Sequence, residues 1–361
     1  MRMASLSDFI VPRGLAVGKC QFQVPYSCAI GMYPRHCTAS QTCGTAPAHL
    51  LLTSGRKRPP VPEVRSPTLR RRELGALLRA RRLELGLTVD QVAGRLLCSP
   101  SKVSRMETGQ RGATARDVRD LTEIYGITDP AQRKYLASLA AEGKQQGWWK
   151  PYDLGPFESY VDLEEAAAAI KQYESALIPG LLQTAGYARA TAEALVPGAS
   201  PGLLELTPER INEFVEVKVR RHDVLTKEST PQFSVVLDEA VLHRAVGGAG
   251  GMRTQLDHLI EVSKFHNVTV QVIPYDVGAH PAMDSAFTIL EFAQPVPSVV
   301  YVEGLIGYHY LDRDQDIARY ERVFDYLSTI ALNPQESIEL IAKVGASYRS
   351  GATRGRSPAD R

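Results

Sequence analysis

Side chains that could recognise a nucleic acid are concentrated in the stretch SPSKVSRMETGQR. Val103 and Met106 are three residues apart and predict the inner side of a short helix. Ser101 and Arg105 are four apart and share the outer side, with Lys102 beside them. Arginine can make a bidentate contact with guanine, and serine can bond to bases or phosphates. The pattern therefore favours a helix that presents polar side chains to DNA.

An ordinary surface helix with a solvated outer side is the alternative, and the charge distribution argues against it. Residues 56–120 contain 16 Lys and Arg against 7 Asp and Glu, a net charge of +9, whereas the whole chain carries +2. The remaining residues must therefore carry −7. A strongly basic segment in an otherwise mildly acidic chain indicates a polyanionic partner for that segment alone.

Two short helices joined by a tight turn would position these side chains. Thr88 and Gln91 form a capping-box signature at the start of one helix. Ser99 is a favourable N-cap and Pro100 a favourable first residue for the next helix, which Gly109 can end. Further amphipathic segments precede and follow this pair. This order of signals is typical of a helix-turn-helix domain.

Residues 69–125 resemble the helix-turn-helix domain of XRE-type (lambda-repressor-like, Cro/C1-type) regulators, and the stretch quoted above matches that family's recognition-helix pattern. The resemblance implies that four side chains face DNA and that a fifth lies near its backbone: Ser99, Ser101, Lys102, Arg105 and Arg111. Thr88 and Gln91 complete the candidate DNA-binding residues. Arg105 could instead contact only phosphate, or pair with Glu107 or Asp117 on the protein surface.

The same resemblance implies an ion pair between Glu107 and Arg82 of the first helix; a solvated helix end is the alternative for Glu107. One position departs from the family pattern, since Leu97 stands in the turn where the family often has glycine. A side chain forced to positive φ costs about 1 kcal/mol. We therefore expect the turn to be built differently here.

Beyond Trp148 and Trp149, which mark a linker, the pattern mixes helices with short strands. Segments rich in β-branched and aromatic residues predict strands at QFSVVLD, NVTVQVIPY, AFTILEF and SVVYVE. The segment EEAAAAIKQYESA predicts a helix, with an alternating strand as the alternative. We predict an all-α helix-turn-helix domain at residues 67–145, followed by an α/β (α+β) regulatory domain at 148–345. A disordered N-terminal segment, 1–66, precedes them, and a flexible tail, 346–361, follows.

The second domain also resembles a known type. The motifs IPGLLQTAGYARA, RRHDVLTKE and DEAVLHRAVGG occur in the order seen in an uncharacterised domain of bacterial regulators, sometimes labelled antitoxin-like of the Scr1 type. The resemblance spans about residues 148–345. It implies an α/β regulatory module and suggests a small partner protein encoded nearby. It supplies no ligand and no catalytic residue.

His280, Asp284 and Ser285 lie within six residues and are the candidates for catalysis. Close spacing does not provide the convergence that a nucleophile, base and acid need, and the chain lacks the common catalytic and phosphate-binding motifs. We therefore predict no enzymatic activity, cofactor or metal. A sensing or partner-binding surface is favoured, with an ordinary polar loop as the alternative. Its residues would be Tyr275, His280, Asp284, Glu303 and Tyr308.

The function favoured by these patterns is a sequence-specific DNA-binding transcriptional regulator whose C-terminal domain binds an effector or a small partner protein. One alternative is an antitoxin-like protein that neutralises a small partner and autoregulates its operon; another is an enzyme with a DNA-binding tether. The expected partners are double-stranded DNA and a second copy of the chain in a homodimer. The sequence has no apolar run of about 18 residues and no clear signal peptide, which predicts a cytoplasmic protein without membrane contact.

Residues 1–60 show no sustained periodicity and hold four of the five cysteines, none in a C-x-x-C pair. Proteins that resemble this one tend to begin close to residue 61, and Val61 could be encoded by an alternative start codon. We predict that the native protein begins near Val61. Mass spectrometry of native protein should then recover no peptides from residues 1–55, and their recovery would contradict the prediction.

Overall fold

The computed structural model describes residues 66–152, 154–155, 157–195, 207–304 and 307–350. The predictions made for residues 1–65, including the start near Val61, lie outside the described residues, as does the tail beyond residue 350. Among the described helices, none is long and apolar enough to cross a membrane.

The N-terminal domain consists of five helices: α1 (Pro67–Glu84), α2 (Val89–Arg95), α3 (Pro100–Glu107), α4 (Ala115–Ile124) and α5 (Pro130–Glu142). A polar side chain before each helix accepts a hydrogen bond from a backbone N–H of its first turn: Ser66, Thr88, Ser99, Thr114 and Asp129. The apolar sides of the five helices share one core. Local capping signals therefore set where the helices begin, and the predicted capping box of α2 is confirmed.

The turn between α2 and α3 keeps a left-handed residue although no glycine stands there. Leu97 has φ 53°, the only positive φ among the described residues other than glycine. The backbone N–H of Cys98 donates to the carbonyl of Ala93 at 3.0 Å, and the backbone N–H of Leu97 donates to the carbonyl of Gly94 at 3.4 Å. This pair of hydrogen bonds is the one that ends helices at a left-handed residue. The expectation of a differently built turn is wrong, because these hydrogen bonds require this backbone whichever side chain is present.

The C-terminal domain combines helices with a six-stranded sheet. Its helices are α6 (Phe157–Ala166), α7 (Ala185–Leu195), α8 (Pro208–Arg221), α9 (Ala240–His243), α10 (Gly248–Val262), α11 (Asp314–Ile330) and α12 (Pro334–Ser350). Its strands are β1 (Ala169–Glu174), β2 (Gln232–Asp238), β3 (Val268–Ile273), β4 (Phe287–Glu291), β5 (Val299–Gly304) and β6 (Gly307–Leu311). The strand order is β3-β2-β1-β4-β5-β6. Strands β1 to β3 are parallel and β4 to β6 antiparallel, so the predicted α/β domain is confirmed.

Helices cover both faces of this sheet. Alternate residues of each strand point to opposite sides, so that Val236 of β2 belongs to one hydrophobic cluster and Leu237 to another. Helix α11 packs on the first side through Phe324 and Leu327. Helices α6, α10 and α12 contribute to the cluster on the second side. The C-terminal domain thus has a core of its own, distinct from that of the five N-terminal helices.

Two predictions about strands need correction. The helix predicted over EEAAAAIKQYESA is wrong beyond Ala166, because Ala169–Glu174 form β1 at the centre of the sheet. Pairing with β2 on one side and β4 on the other outweighs the helix propensity of the alanines. Strand β6 was not predicted, since it is a five-residue edge strand that pairs only with β5.

The predicted linker is packed against the C-terminal domain. The indole Nε1–H of Trp148 donates to Glu165 Oε2 at 2.9 Å. The guanidinium of Arg220 lies 4.4 Å from the centre of the same indole, and Trp149 is buried. The two tryptophans therefore anchor the connection to α6 and α8.

Substituting Leu97 with glycine tests the strained turn. We expect Leu97→Gly to raise the free energy of unfolding by about 0.5–1 kcal/mol, because relief of about 1–2 kcal/mol of left-handed strain exceeds the added chain entropy of the unfolded state. The Leu97 side chain is 93 % exposed, so little packing is lost. Leu97→Ala keeps the strain and should leave the stability unchanged in urea unfolding. Equal gains in both variants would contradict the assignment of strain.

Candidate nucleic-acid interface

The outer side of α3 is polar and exposed. Val103 and Met106 are buried in the helical core, which turns Ser101, Ser104 and Arg105 toward solvent. Arg105 donates from Nε to the backbone carbonyl of Ser101 at 3.2 Å, so its side chain lies back along the helix. Ser104 is not among the predicted DNA-binding residues, although its spacing of three from Ser101 places it on the same side. This surface offers hydrogen-bond donors and one positive charge in the arrangement that base recognition uses.

Lys102 lies differently from the other candidate residues. Its Nζ is 2.5 Å from Oδ1 of Asp117 on α4. The Asp117 carboxylate also accepts from the backbone N–H of Thr114 at 3.0 Å and caps α4. Burial would raise the pKa of Asp117, but the hydrogen bonds from Lys102 and Thr114 outweigh it and hold this pKa below its usual value. Lys102 therefore ties α3 to α4 and does not extend outward.

The other predicted DNA-binding residues lie at the ends of α2 and α3. Thr88 Oγ1 accepts from the backbone N–H of Gln91 at 3.2 Å, and Gln91 Oε1 accepts from that of Thr88 at 2.9 Å. Both side chains are exposed, as are Ser99 and Arg111. Ser99 caps α3 through the backbone N–H of Lys102 at 3.2 Å. These exposed positions at helix ends permit contacts with the DNA backbone.

A buried ion pair joins α1 to the end of α3. Arg82 Nε lies 2.6 Å from Glu107 Oε1, and Nη2 lies 2.8 Å from Oε2. The remaining Nη1 donates to the backbone carbonyl of Leu87 at 2.8 Å. The helices meet closely at Gly75, where an added methyl group would lie 2.4 Å from the carbonyl oxygen of Glu107. This pair, which the sequence resemblance implied, fixes the orientation of α3.

Polar contacts also connect the N-terminal helices to the C-terminal domain. The buried carboxylate of Asp162 on α6 accepts from the backbone N–H of Thr68, in the first turn of α1, at 2.5 Å. Arg72 Nη2 lies 3.6 Å from Oδ2 of Asp312, just after β6. An added methyl group at Gly109 would lie 2.5 Å from Arg72 Cγ, so the end of α3 rests on this arginine. The backbone just after α3 therefore lies against a side chain that also contacts the C-terminal domain.

The candidate residues of the C-terminal domain fall into two groups. His280 is buried, with Nε2 3.6 Å from Asp238 Oδ2 and 3.4 Å from the Tyr173 hydroxyl. Asp284, four residues after His280, is exposed. Tyr275 is exposed and stacks on His243.

Glu303 and Tyr308 form the second group. They face each other across the β5–β6 pair. Tyr308 packs with the cluster on one side of the sheet, whereas Tyr173, which contacts His280, belongs to the other. The sheet therefore divides the single surface that the sequence suggested.

The comparisons with known proteins agree with this domain division. Residues 73–136 match a family model described as "Helix-turn-helix domain". Residues 157–343, more than half of the chain, match one described as "Domain of unknown function (DUF5753)". No curated protein and no solved structure matches the chain. The first match supports the predicted DNA-binding domain and a regulatory role, and the second assigns no activity to the C-terminal domain.

Removing the negative charge of Glu107 tests the buried pair. We expect Glu107→Gln to lower the free energy of unfolding by about 3 kcal/mol, because Arg82 would keep a buried charge without its counter-charge. Glu84→Gln is the matched control, since Glu84 pairs with Arg81 at 2.9 Å on the exposed side of α1. It should cost about 0–1 kcal/mol in urea unfolding. Similar losses in the two variants would contradict a specific role for the buried pair.

Proposed function

This chain belongs to the DUF5753 family, and we propose that it is a sequence-specific transcriptional regulator that reads operator DNA through α3. The observation that carries the proposal is the exposed side of α3, where Ser101, Ser104 and Arg105 lie together on a helix fixed by a buried ion pair. A rigidly held helix with a polar outer side is what base recognition in the major groove requires.

Arg105 is the side chain that we assign to base reading. The acids that could have paired with it are engaged elsewhere, since Glu107 binds Arg82 and Asp117 binds Lys102. In the described part of the chain, its Nη1 and Nη2 make no hydrogen bond or ion pair. A bidentate contact with guanine needs two such free N–H groups. Lys102, for which the family resemblance implies a DNA contact, would have to leave Asp117 to make it.

The remaining parts of the proposal concern partners. Two copies would bind two half-sites about one helical turn apart, as dimeric helix-turn-helix proteins do. The C-terminal domain would bind an effector or a small partner protein and transmit its presence through Arg72. This arrangement is supported by the contacts of Arg72 with both Asp312 and the backbone at Gly109.

Arg105→Ala tests base reading. Operator fragments would first be selected from genomic DNA with the full-length protein. On the selected site we expect a loss of about 1–3 kcal/mol in binding free energy and relaxed preference at one base pair, because one bidentate contact disappears. Binding to scrambled DNA should change much less. Titrations of both DNAs at several salt concentrations measure the difference.

Arg253→Ala provides the matched control, because it removes the same charge from α10 of the C-terminal domain and should leave both affinities unchanged. Equal losses of Arg105→Ala on operator and scrambled DNA, with a salt dependence about one unit smaller, would assign a phosphate contact and contradict base reading.

A further inference from the structure

Two cationic side chains of α8 approach each other in the C-terminal domain, the buried Arg221 and the half-buried Lys218. Arg221 is only 3 % exposed and binds Glu164 of α6 through Nε and Nη2, at 2.7 and 2.6 Å. Its Nη1 is buried and has no hydrogen-bond partner among the described residues. The corresponding Nη1 of Arg82, in the other buried bidentate pair, donates to a backbone carbonyl. Since buried N–H groups are rarely left unpaired, the Arg221 group requires an acceptor from elsewhere.

Lys218, one turn earlier, approaches the same place. An added methyl group at Gly180 would lie 2.9 Å from Arg221 Nη1 and 3.1 Å from Lys218 Nζ, so the two nitrogens are at most about 6 Å apart. Lys218 lies over the rings of Phe157 and Phe214 and has no ion-pair partner within the described ranges. Burial and the neighbouring Arg221 lower the pKa of Lys218 to about 8. Two like charges therefore lie close together, and the carboxylates of Glu303, Glu164 and Glu174 compensate the lowered pKa of Lys218 only in part.

Aromatic side chains form the wall beside these cations. The Tyr301 ring is 4.3 Å from that of Tyr160 and 5.6 Å from that of Tyr308, between ring centres. The buried hydroxyl of Tyr301 has no partner in the described structure, and it lies close enough to Arg221 to influence the pKa of that guanidinium. Lys218, Arg221 and Tyr301, which we call the donor cluster, thus present hydrogen-bond donors next to apolar surface.

We propose that the donor cluster binds the carboxylate of a small organic acid whose apolar or aromatic part lies against Phe157 and Tyr308. Charge-assisted hydrogen bonds from a lysine and an arginine are the strong contacts that a carboxylate makes. The carboxylates of Glu174 and Glu303 lie close enough to Lys218 to raise its pKa. They would repel a second negative charge on the ligand, so a monocarboxylate fits better than a dianion such as phosphate. The proposal rests on the proposed regulatory function and names the chemical class of its effector.

Packed side chains connect the donor cluster to α3. The ring of Tyr301 lies 5.3 Å from that of Tyr310 on β6. Burial raises the pKa of the Tyr310 hydroxyl, and the positive charge of Arg72 lowers it in part. Arg72 in turn supports the backbone at Gly109, directly after α3. An acid bound at the donor cluster therefore lies at one end of a series of neighbouring side chains, Tyr301, Tyr310 and Arg72, that leads to the residues just after α3.

The binding test uses the full-length protein with benzoate, phenylacetate and hexanoate as probes, followed by calorimetry. We expect saturable binding of at least one probe, and at least tenfold weaker binding to Lys218→Gln because one charge-assisted hydrogen bond is lost. Lys218→Arg should retain binding, and Lys264→Gln, which removes an exposed lysine of the segment after α10, should not alter it. Benzamide, a neutral analogue of benzoate, should not bind.

Three results would overturn the proposal. The first is no binding of any probe up to about 20 mM, which is weaker than a useful effector site. The second is equal binding by Lys218→Gln or equal binding of benzamide. The third is binding of sulfate or phosphate as tight as that of the organic acids, which would indicate an adventitious ion only.

Operator binding separates this proposal from the proposed function. A saturating probe acid should change the operator affinity of the wild type and leave that of Lys218→Gln unchanged. Binding of the acid with no change in operator affinity would overturn the effector role while DNA recognition by α3 stands. If the protein selects no operator at all, the proposed function fails, even where the acid binds.

Discussion

The orientation of α3 depends on the ion pair between Arg82 and Glu107. Both side chains are buried, and each nitrogen of the guanidinium donates to an acceptor: Nε and Nη2 to Glu107, and Nη1 to the Leu87 carbonyl. Burying charges is costly unless their hydrogen bonds are complete. Gly75 lets α1 approach the backbone of Met106 and Glu107 closely. The Arg82–Glu107 pair therefore acts over a short distance and fixes the direction in which the polar side of α3 faces.

Helix α1 has a second role because its other residues contact the C-terminal domain. Asp162 caps its first turn, and Asp312 holds Arg72 on the side that faces the end of α3. Burial raises the pKa of Asp162, whereas hydrogen bonds from Thr68 and Ser66 lower it in part. Helix α1 thus contacts both the C-terminal domain and the residues just after α3.

Two buried bidentate arginine–carboxylate pairs in the described part of the chain differ in one respect. Arg82 is fully satisfied by its own fold, as expected of a structural pair. Arg221 leaves one buried N–H group unused and lies beside Lys218, whose burial lowers its pKa. The unused hydrogen-bond donor at Arg221, which has no counterpart at Arg82, is what distinguishes the proposed binding site from the structural pair.

The sequence by itself determined the features that depend on neighbouring residues. The caps Thr88 and Ser99, the buried positions Val103 and Met106, and most strands follow from local spacing, because hydrogen bonds to the first turn and side-chain periodicity act over three or four residues. The family pattern also supplied the partner of Glu107, as an implication of the resemblance.

Only the tertiary structure decided the contacts between residues far apart in the chain. The pairing of Lys102 with Asp117, the central strand at 169–174 and the meeting of Lys218 with Arg221 near Gly180 depend on how elements pack. The same residues could have faced solvent or formed a helix. Their environment was fixed when distant segments came together, and the free energy of those long-range contacts outweighs local preference.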